Sequence, residues 1–216
     1  GPKSAEAVAA AFGIEVRALQ LLHTLPATIG GQQALILRTE ETGEQDFEVL
    51  LPADAVPAAW NQLMTSGAPF GIKPVGAQAR ELLRIEAGLP KAGPDLNEEI
   101  VPPEANLEGK AFSLSKGCYP GQEVVARMDT YGNVRRHLVG LIIQDKTVPP
   151  AGSKLFSGDR EVGWVSSAVF SPQRNAALAF GFPLRDFSAP DTTLTVEVAG
   201  TRHQATVHAL PFQKHS

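Results

Sequence analysis

The 216-residue sequence predicts an α+β protein that ends in a small antiparallel β-barrel. Three observations carry that expectation. Apolar residues recur at helical spacing in segments before Leu89, whereas short strand patterns broken by Gly, Pro and Asp turns take over after Arg136. A hydrophobic fraction of 43% suffices to bury one sizeable core or two small ones without disulfides.

Gly1-Pro2 reads as the scar of a site-specific protease after tag removal, so it carries no fold information and the native N-terminus is expected to be missing. The alanine-rich run from Ser4 to Phe12, with a serine at the capping position and Gly13 behind it, predicts a short helix. After the Gly30-Gly31 break, residues 34–39 and 47–51 read as two strands of a hairpin joined by the polar turn from Glu40 to Gln45. Asp54 is placed to cap a helix with Pro57 in its first turn and Trp60, Leu63 and Met64 on one face, stopping at Gly67. From Val75 to Ala87, the spacing of Ala79, Leu82, Leu83 and Ala87 predicts a second amphipathic helix ended by Gly88 and Pro90.

Residues 89–109 are rich in Pro, Asn, Glu and Gly and lack periodicity, which predicts an ordered surface or junction loop. Strands are then expected at 137–143, 161–170, 176–182, 193–199 and 203–209, in a small antiparallel barrel or sandwich. The expected organisation is a first domain over 1–135 and a C-terminal β-barrel domain over 136–216. No internal repeat, heptad run or low-complexity tract interrupts it.

A net charge of -4 gives no strong nucleic-acid footprint and nothing that would coat an anionic membrane. One cysteine cannot form an intramolecular disulfide, and the five histidines are too dispersed for a local metal motif, so no metal site is expected. No apolar stretch approaches the roughly 20 residues that span a bilayer, and no secretory signal is visible, so a cytoplasmic protein is expected.

The chemistry-bearing segment is Lys116-Gly117-Cys118-Tyr119-Pro120-Gly121-Gln122-Glu123. Pro120 suits the first turn of a helix continuing through Val124, Val125 and Met128, which would put Cys118 at a helix N-terminus beside Lys116. Unpaired N–H groups there favour negative charge, so a reactive, readily ionised thiol is expected. The alternative is a small buried hydrophobe, the common fate of a lone cysteine. Glu123 and Arg127, four apart, would form an ordinary surface pair worth about 0.3 to 0.5 kcal/mol.

The pattern K-G-C-Y-x-G-Q-E followed by an arginine, Arg127, resembles the YgfZ branch of the folate-binding glycine-cleavage T-protein superfamily. The segment from Ala79 to Gly88 is similar to the A-R-x-x-L-R-x-E-A-G helix of T-proteins, and Asp95-Leu96-Asn97-Glu98 and Pro103-Glu104-Ala105 also fit. The segment from Gly163 to Pro172 resembles the V-G-x-V-T-S barrel strand, where Trp164 is a candidate for the cavity or the barrel core. The resemblance implies a T-protein-like folate-binding domain followed by the barrel, with tetrahydrofolate or a folate derivative as cofactor. It implies that Glu48 and Arg84 hold the pteridine, and that Arg80 shares a face with Arg84 where an anion could sit. A carboxylate accepts two adjacent N–H donors, and arginine donates to ring acceptors or to the folate carboxylates. On spacing alone both residues read as solvent-facing. The aspartate-bearing first segment of T-proteins has no counterpart here and the chain is short for the family's three-domain ring, so a fragment with incomplete folate binding is expected.

Resemblance to YgfZ implies a folate-binding accessory protein that maintains or repairs iron–sulfur enzymes through Cys118, with transient contacts to those client enzymes. One thiol cannot hold a cluster, which needs about four such ligands, so a transient thiolate or mixed-disulfide role is expected. The alternative is a folate-dependent aminomethyl or one-carbon transferase in which Cys118 is incidental. A third is a binding module for tRNA, in keeping with a role in tRNA modification, or for a protein, without chemistry.

Overall fold

A computed structural model describes residues 1–115, 117–123, 125–126 and 134–212. They form two compact units, one from Gly1 to Leu83 and one from Arg84 onward.

The first unit contains α1 (Ser4–Phe12), three antiparallel strands β1 (Thr24–Ile29), β2 (Gln32–Thr39) and β3 (Asp46–Leu50), and α2 (Val56–Gly67). Gly13 ends α1 in the left-handed conformation, φ 69°, and its N–H donates to the Ala9 carbonyl, as an αL cap requires. Ala5, Val8, Val16 and Ile36 bury against one another, with Phe12, Ile14, Phe47 and Val49 around them. The expected hairpin of β2 and β3 is present, and β1 adds a further strand ahead of it. Gly30 and Gly31 form the two-residue turn between β1 and β2, with φ of 58° and 79°, the geometry that glycine supplies in tight hairpins.

Two helix expectations need correction. Asp54 does not cap α2; the N-cap is Ala55 with no side-chain cap bond, and Trp60 on the expected apolar face is 50% exposed. The helix α3 (Ala77–Glu86) buries Arg84, Ile85 and Glu86 instead of Ala79, Leu82 and Leu83. Its last turn can bury charge because each charged group there has a partner.

The second unit is built around a closed six-stranded antiparallel barrel. Its strands are β4 (Val139–Ile143), β5 (Lys154–Ser157), β6 (Arg160–Ser171), β7 (Ala176–Gly181), β8 (Thr193–Val198) and β9 (Thr201–His208). They run in the order β4-β7-β6-β5-β8-β9, with β9 pairing back onto β4. Leu141, Leu155, Val165, Ala179, Val196 and Val207 fill the interior. Successive residues of a strand face opposite sides, so β7 sends Ala177 and Ala179 inward while Leu178 and Phe180 face outward. That outer face packs on Ile85 of α3, Leu138 and Phe212, so every residue of β7 is buried.

The predicted loop after α3 is ordered. Short bridges pair Ala92 with Leu96 and Glu108 with Phe112, and Asp95 within it is fully buried.

Candidate functional site

Glu48 lies at the middle of β3, opposite Leu37 of β2. Strand alternation turns Phe47 and Val49 toward the core and Glu48 outward, where it is exposed. It is among the residues lining a cavity of about 730 Å3, together with Thr39, Phe47, Leu63, Phe70 and Ile72. Among the described residues the Glu48 carboxylate has no hydrogen-bond or ion-pair partner. At the same cavity, Arg80 of α3 is paired with Glu41.

Arg84 is buried and lies in a closed polar ring of the second unit. Its Nη1 donates to Asp95 Oδ2 at 2.8 Å and to the Leu89 carbonyl at 3.1 Å, and its Nη2 donates to Ser167 Oγ at 2.9 Å. The Ser167 hydroxyl donates onward to Asp95 Oδ1 at 2.7 Å, and Ser166 Oγ donates to the same oxygen at 2.5 Å. The Lys91 N–H donates to Asp95 Oδ2 at 3.0 Å, and the Phe180 ring centroid is 5.5 Å from the guanidinium carbon. Neighbouring residues of a regular strand cannot reach one carboxylate from the same side. Here they do, because the register of β6 against β7 shifts between Val165 and Ser167, a bulge that turns both hydroxyls toward Asp95.

Arg84 is therefore not the solvent-facing helix residue that its spacing indicates. Nor do Arg80 and Arg84 hold an anion between them as a bare pair, since each has an acidic partner, Glu41 and Asp95. Local sequence patterns do not mark Asp95, Ser166 and Ser167 as members of the polar ring around Arg84. Their signal in the sequence is faint: an aspartate in a Pro- and Gly-rich loop, and a Ser-Ser pair inside an otherwise apolar strand.

Trp164 stacks on Phe182 with centroids 5.6 Å apart and has the Arg136 guanidinium 4.8 Å over its ring. It packs against the cluster around Phe180, the core alternative of its two readings.

The cysteine segment also lies in the second unit. Cys118 is exposed, so it is not the buried hydrophobe of the alternative reading. It is not in the first turn of a helix either: Pro120 and Gly121 form a turn, and the described helical residues are Gln122, Glu123, Val125 and Ala126. The field of a helix end fades within one turn, so the expected helix-end activation of the thiol loses its basis. Gly121 has φ 86°, which favours glycine, and the turn is closed by the Gln122 N–H donating to the Tyr119 carbonyl at 3.2 Å. In return the Tyr119 N–H donates to Gln122 Oε1 at 3.2 Å. Gly121, Gln122 and Tyr119 thus shape the turn. Gly117 and Glu123 are exposed, whereas Lys116, Val124, Arg127 and Met128 lie outside the described residues. Among the described residues no group of three His, Cys, Asp or Glu is placed to hold a metal ion, and no helix is long and apolar enough to cross a membrane.

Residues 1–114 match the profile of the GCVT N-terminal domain, and residues 136–214 match that of the glycine cleavage T-protein C-terminal barrel domain. The chain belongs to the glycine-cleavage T-protein family. Within this family it is 35% identical over 183 residues to an aminomethyltransferase of Chlorobium limicola, covering 84% of this chain and 50% of that protein. It is 34% identical over 217 residues to an aminomethyltransferase of Saccharopolyspora erythraea, covering 99% of this chain and 58% of that protein. Its fold is that of the T-protein family in three dimensions as well. The crystal structure of glycine cleavage system aminomethyltransferase T from Bartonella henselae superimposes with a TM-score of 0.85 at 27% identity, covering 97% of this chain and 57% of that one. The chain thus spans little more than half the length of these T-protein relatives.

Proposed function

We propose that this T-protein family member binds tetrahydrofolate or a related reduced folate and serves folate-dependent aminomethyl or one-carbon transfer. The observation that carries the reading is the unpartnered Glu48 carboxylate on the wall of the 730 Å3 cavity. Support also comes from the relatives, which are named aminomethyltransferases. The residues suit the ligand: a carboxylate accepts adjacent N–H donors of a pteridine in a bidentate manner, and Phe70, Leu63 and Ile72 offer apolar surface to the ring. Arg84, which the resemblance implies as a second contact, is buried in the second unit with its terminal nitrogens bonded to Asp95, Leu89 and Ser167, and the reading does not rest on it. Tetrahydrofolate, when bound, supplies the nitrogen that carries the one-carbon unit. The functional division proposed is a folate-binding part over 1–135 and the barrel over 136–216, in a cytoplasmic protein.

The test is a titration with 5-formyltetrahydrofolate, an air-stable reduced folate. Glu48→Gln should weaken binding by about tenfold or more, since a bidentate charge-assisted contact becomes a single neutral one. Unchanged affinity of a folded Glu48→Gln protein rejects this reading.

A second reading rests on a different observation, the exposed thiol of Cys118 inside the K-G-C-Y-x-G-Q-E pattern. In it the protein belongs to the YgfZ branch and maintains iron–sulfur client enzymes by transient thiolate chemistry, with Lys116 and Arg127 flanking the thiol in sequence. Complementation of a strain lacking its YgfZ-type protein separates the two. Loss of iron–sulfur enzyme activity with a folded Cys118→Ala protein favours the accessory role; full restoration leaves transfer as the function.

A further inference from the structure

We infer that Lys73 is a specificity-determining residue of the Glu48 cavity, its ammonium group binding the glutamate carboxylates of a reduced folate; this rests on the reading that the cavity takes folate. Glu48 and Lys73 line the same cavity, and among the described residues neither side chain has a hydrogen-bond or ion-pair partner. The cavity therefore offers an uncommitted anion and an uncommitted cation. A reduced folate carries the complement of each: a pteridine with adjacent N–H donors at one end, and a glutamate with two carboxylates at the other. A volume of about 730 Å3 is in the range that encloses a whole ligand of drug size, so the tail has room as well as the ring.

Local packing sets the position of Lys73. The helix α2 ends at Gly67, where a Cβ would lie 2.7 Å from Ile72 Cγ2, so glycine lets the Ile72 side chain close on the helix end. Gly71 turns the chain with φ 81°, its N–H donating to the Ala68 carbonyl at 3.0 Å, and the Ile72 N–H reaches the Gly67 carbonyl at 3.4 Å. These contacts hold Ile72 against α2 and bring Lys73, the next residue, to the same cavity. Lys73 is exposed, so it can exchange water for a ligand carboxylate without breaking a bond inside the protein.

The other cations at the cavity are committed or less well placed. Arg80 is paired with Glu41, and the Gly1 amine donates to Asp46 Oδ1 at 2.9 Å. Lys3 belongs to a segment that the Gly1 amine and the Ser4 hydroxyl tie to Gln45 and Asp46, so a carboxylate approaching it meets the like charge of Asp46. The chain from Ala55 to Arg80 carries no acidic residue, and nothing on that stretch competes for the Lys73 ammonium.

The probes are 5-formyltetrahydrofolate and its α,γ-dimethyl ester, which keeps the ring and the tail but not the tail charge. Both are titrated against the full chain and its Lys73→Gln, Lys73→Arg, Lys3→Gln and Glu48→Gln variants, with circular dichroism showing each folded. The acid should bind the unaltered protein about fivefold more tightly than the ester. Lys73→Gln should erase that preference and leave the affinity for the ester within about twofold, whereas Lys73→Arg should keep most of it. Because the contact is exposed, the preference should fade at about 1 M salt, where screening acts within roughly 3 Å. Glu48→Gln should weaken acid and ester alike, since it addresses the ring. Equal binding of acid and ester to the unaltered protein overturns the inference, and that comparison needs no variant. A Lys73→Gln protein that loses both probes equally reports a lysine that only supports the cavity wall or the end of α2, and this overturns it too. A drop in preference as large with Lys3→Gln as with Lys73→Gln reports a general field and rejects the contact. In each of these cases the folate reading stands if Glu48→Gln weakens binding; failure of both probes to bind the unaltered protein rejects the reading and the inference together.

Discussion

Arg84 on the last turn of a helix and Asp95 in the loop that follows it meet in a buried ion pair at 2.8 Å, and two consecutive serines of a barrel strand close the arrangement. Removing one partner leaves the other charge buried without compensation. Asp95→Ala is therefore expected to destabilise the second unit by about 3 to 5 kcal/mol. Ser166→Ala, which deletes one neutral donor to the carboxylate, should cost about 1 to 3 kcal/mol. Urea unfolding followed by circular dichroism measures both, and equal costs would deny the carboxylate its central place.

Gly163 on β6 sits where a Cβ would lie 2.3 Å from the Phe182 carbonyl oxygen and 2.8 Å from the Pro183 Cα, both backbone atoms. Backbone held in a barrel cannot move aside, so Gly163→Ala should cost about 3 kcal/mol, at the upper end of overpacking effects. Gly200, in the turn between β8 and β9, has open space around its Cβ position but φ 79°. Gly200→Ala should cost only the left-handed penalty, about 1 kcal/mol. Thermal melts of the two variants check the order.

His137 is held below the ordinary imidazole value, first by burial and then by the positive charge of Arg185, with Glu104 opposing. A histidine that is harder to protonate when folded takes its proton first in the unfolded chain. Its contribution is intact above about pH 6.5, the unfolded value, and is lost as pH falls below it. The urea midpoint is expected to decline from pH 7.5 to pH 5.5, and His137→Gln should flatten part of that decline. An unchanged slope in the variant would remove His137 from the account. The Asp145 carboxylate is held low, first by its bond from His203, so its own share is lost only in more acidic solution.

Cys118 is exposed and lies in a turn whose bonds come from Tyr119 and Gln122, not from the thiol. Cys118→Ala should leave stability within about 0.5 kcal/mol. Iodoacetamide should modify the native thiol at a rate close to that of the urea-unfolded chain, with a native rate many times slower contradicting the exposure.

The elements legible in the sequence were those set by local rules. Gly13 ends α1 and the later barrel strands follow alternation and turns, because each depends on residues within a few positions. β1 is hard to read because Pro26 lowers the strand signal, and because Gly30-Gly31, which resembles a break, is a two-residue hairpin turn. β5 is only Lys154–Ser157, too short for a visible period. The burial of Arg84 was not legible at all: its surroundings come from Asp95 and from Ser166 and Ser167, residues 83 positions away in the case of Ser167. Glu48 was placed on its strand by alternation, but the cavity beside it is made by Leu63, Phe70 and Ile72, which no local pattern connects to β3.

The pairing of β4 with β9, Gly140 opposite His208, joins the first and last strands of the barrel. During synthesis the ribosome must release nearly the whole second unit before this seam can form. Until then β4 carries an open edge and β7 has only part of its neighbourhood, so the nascent chain passes through a stage with exposed strand edges. Slowing translation after β8 would lengthen that stage, and a holdase that shields strand edges should matter more to the yield of this protein than to its equilibrium stability.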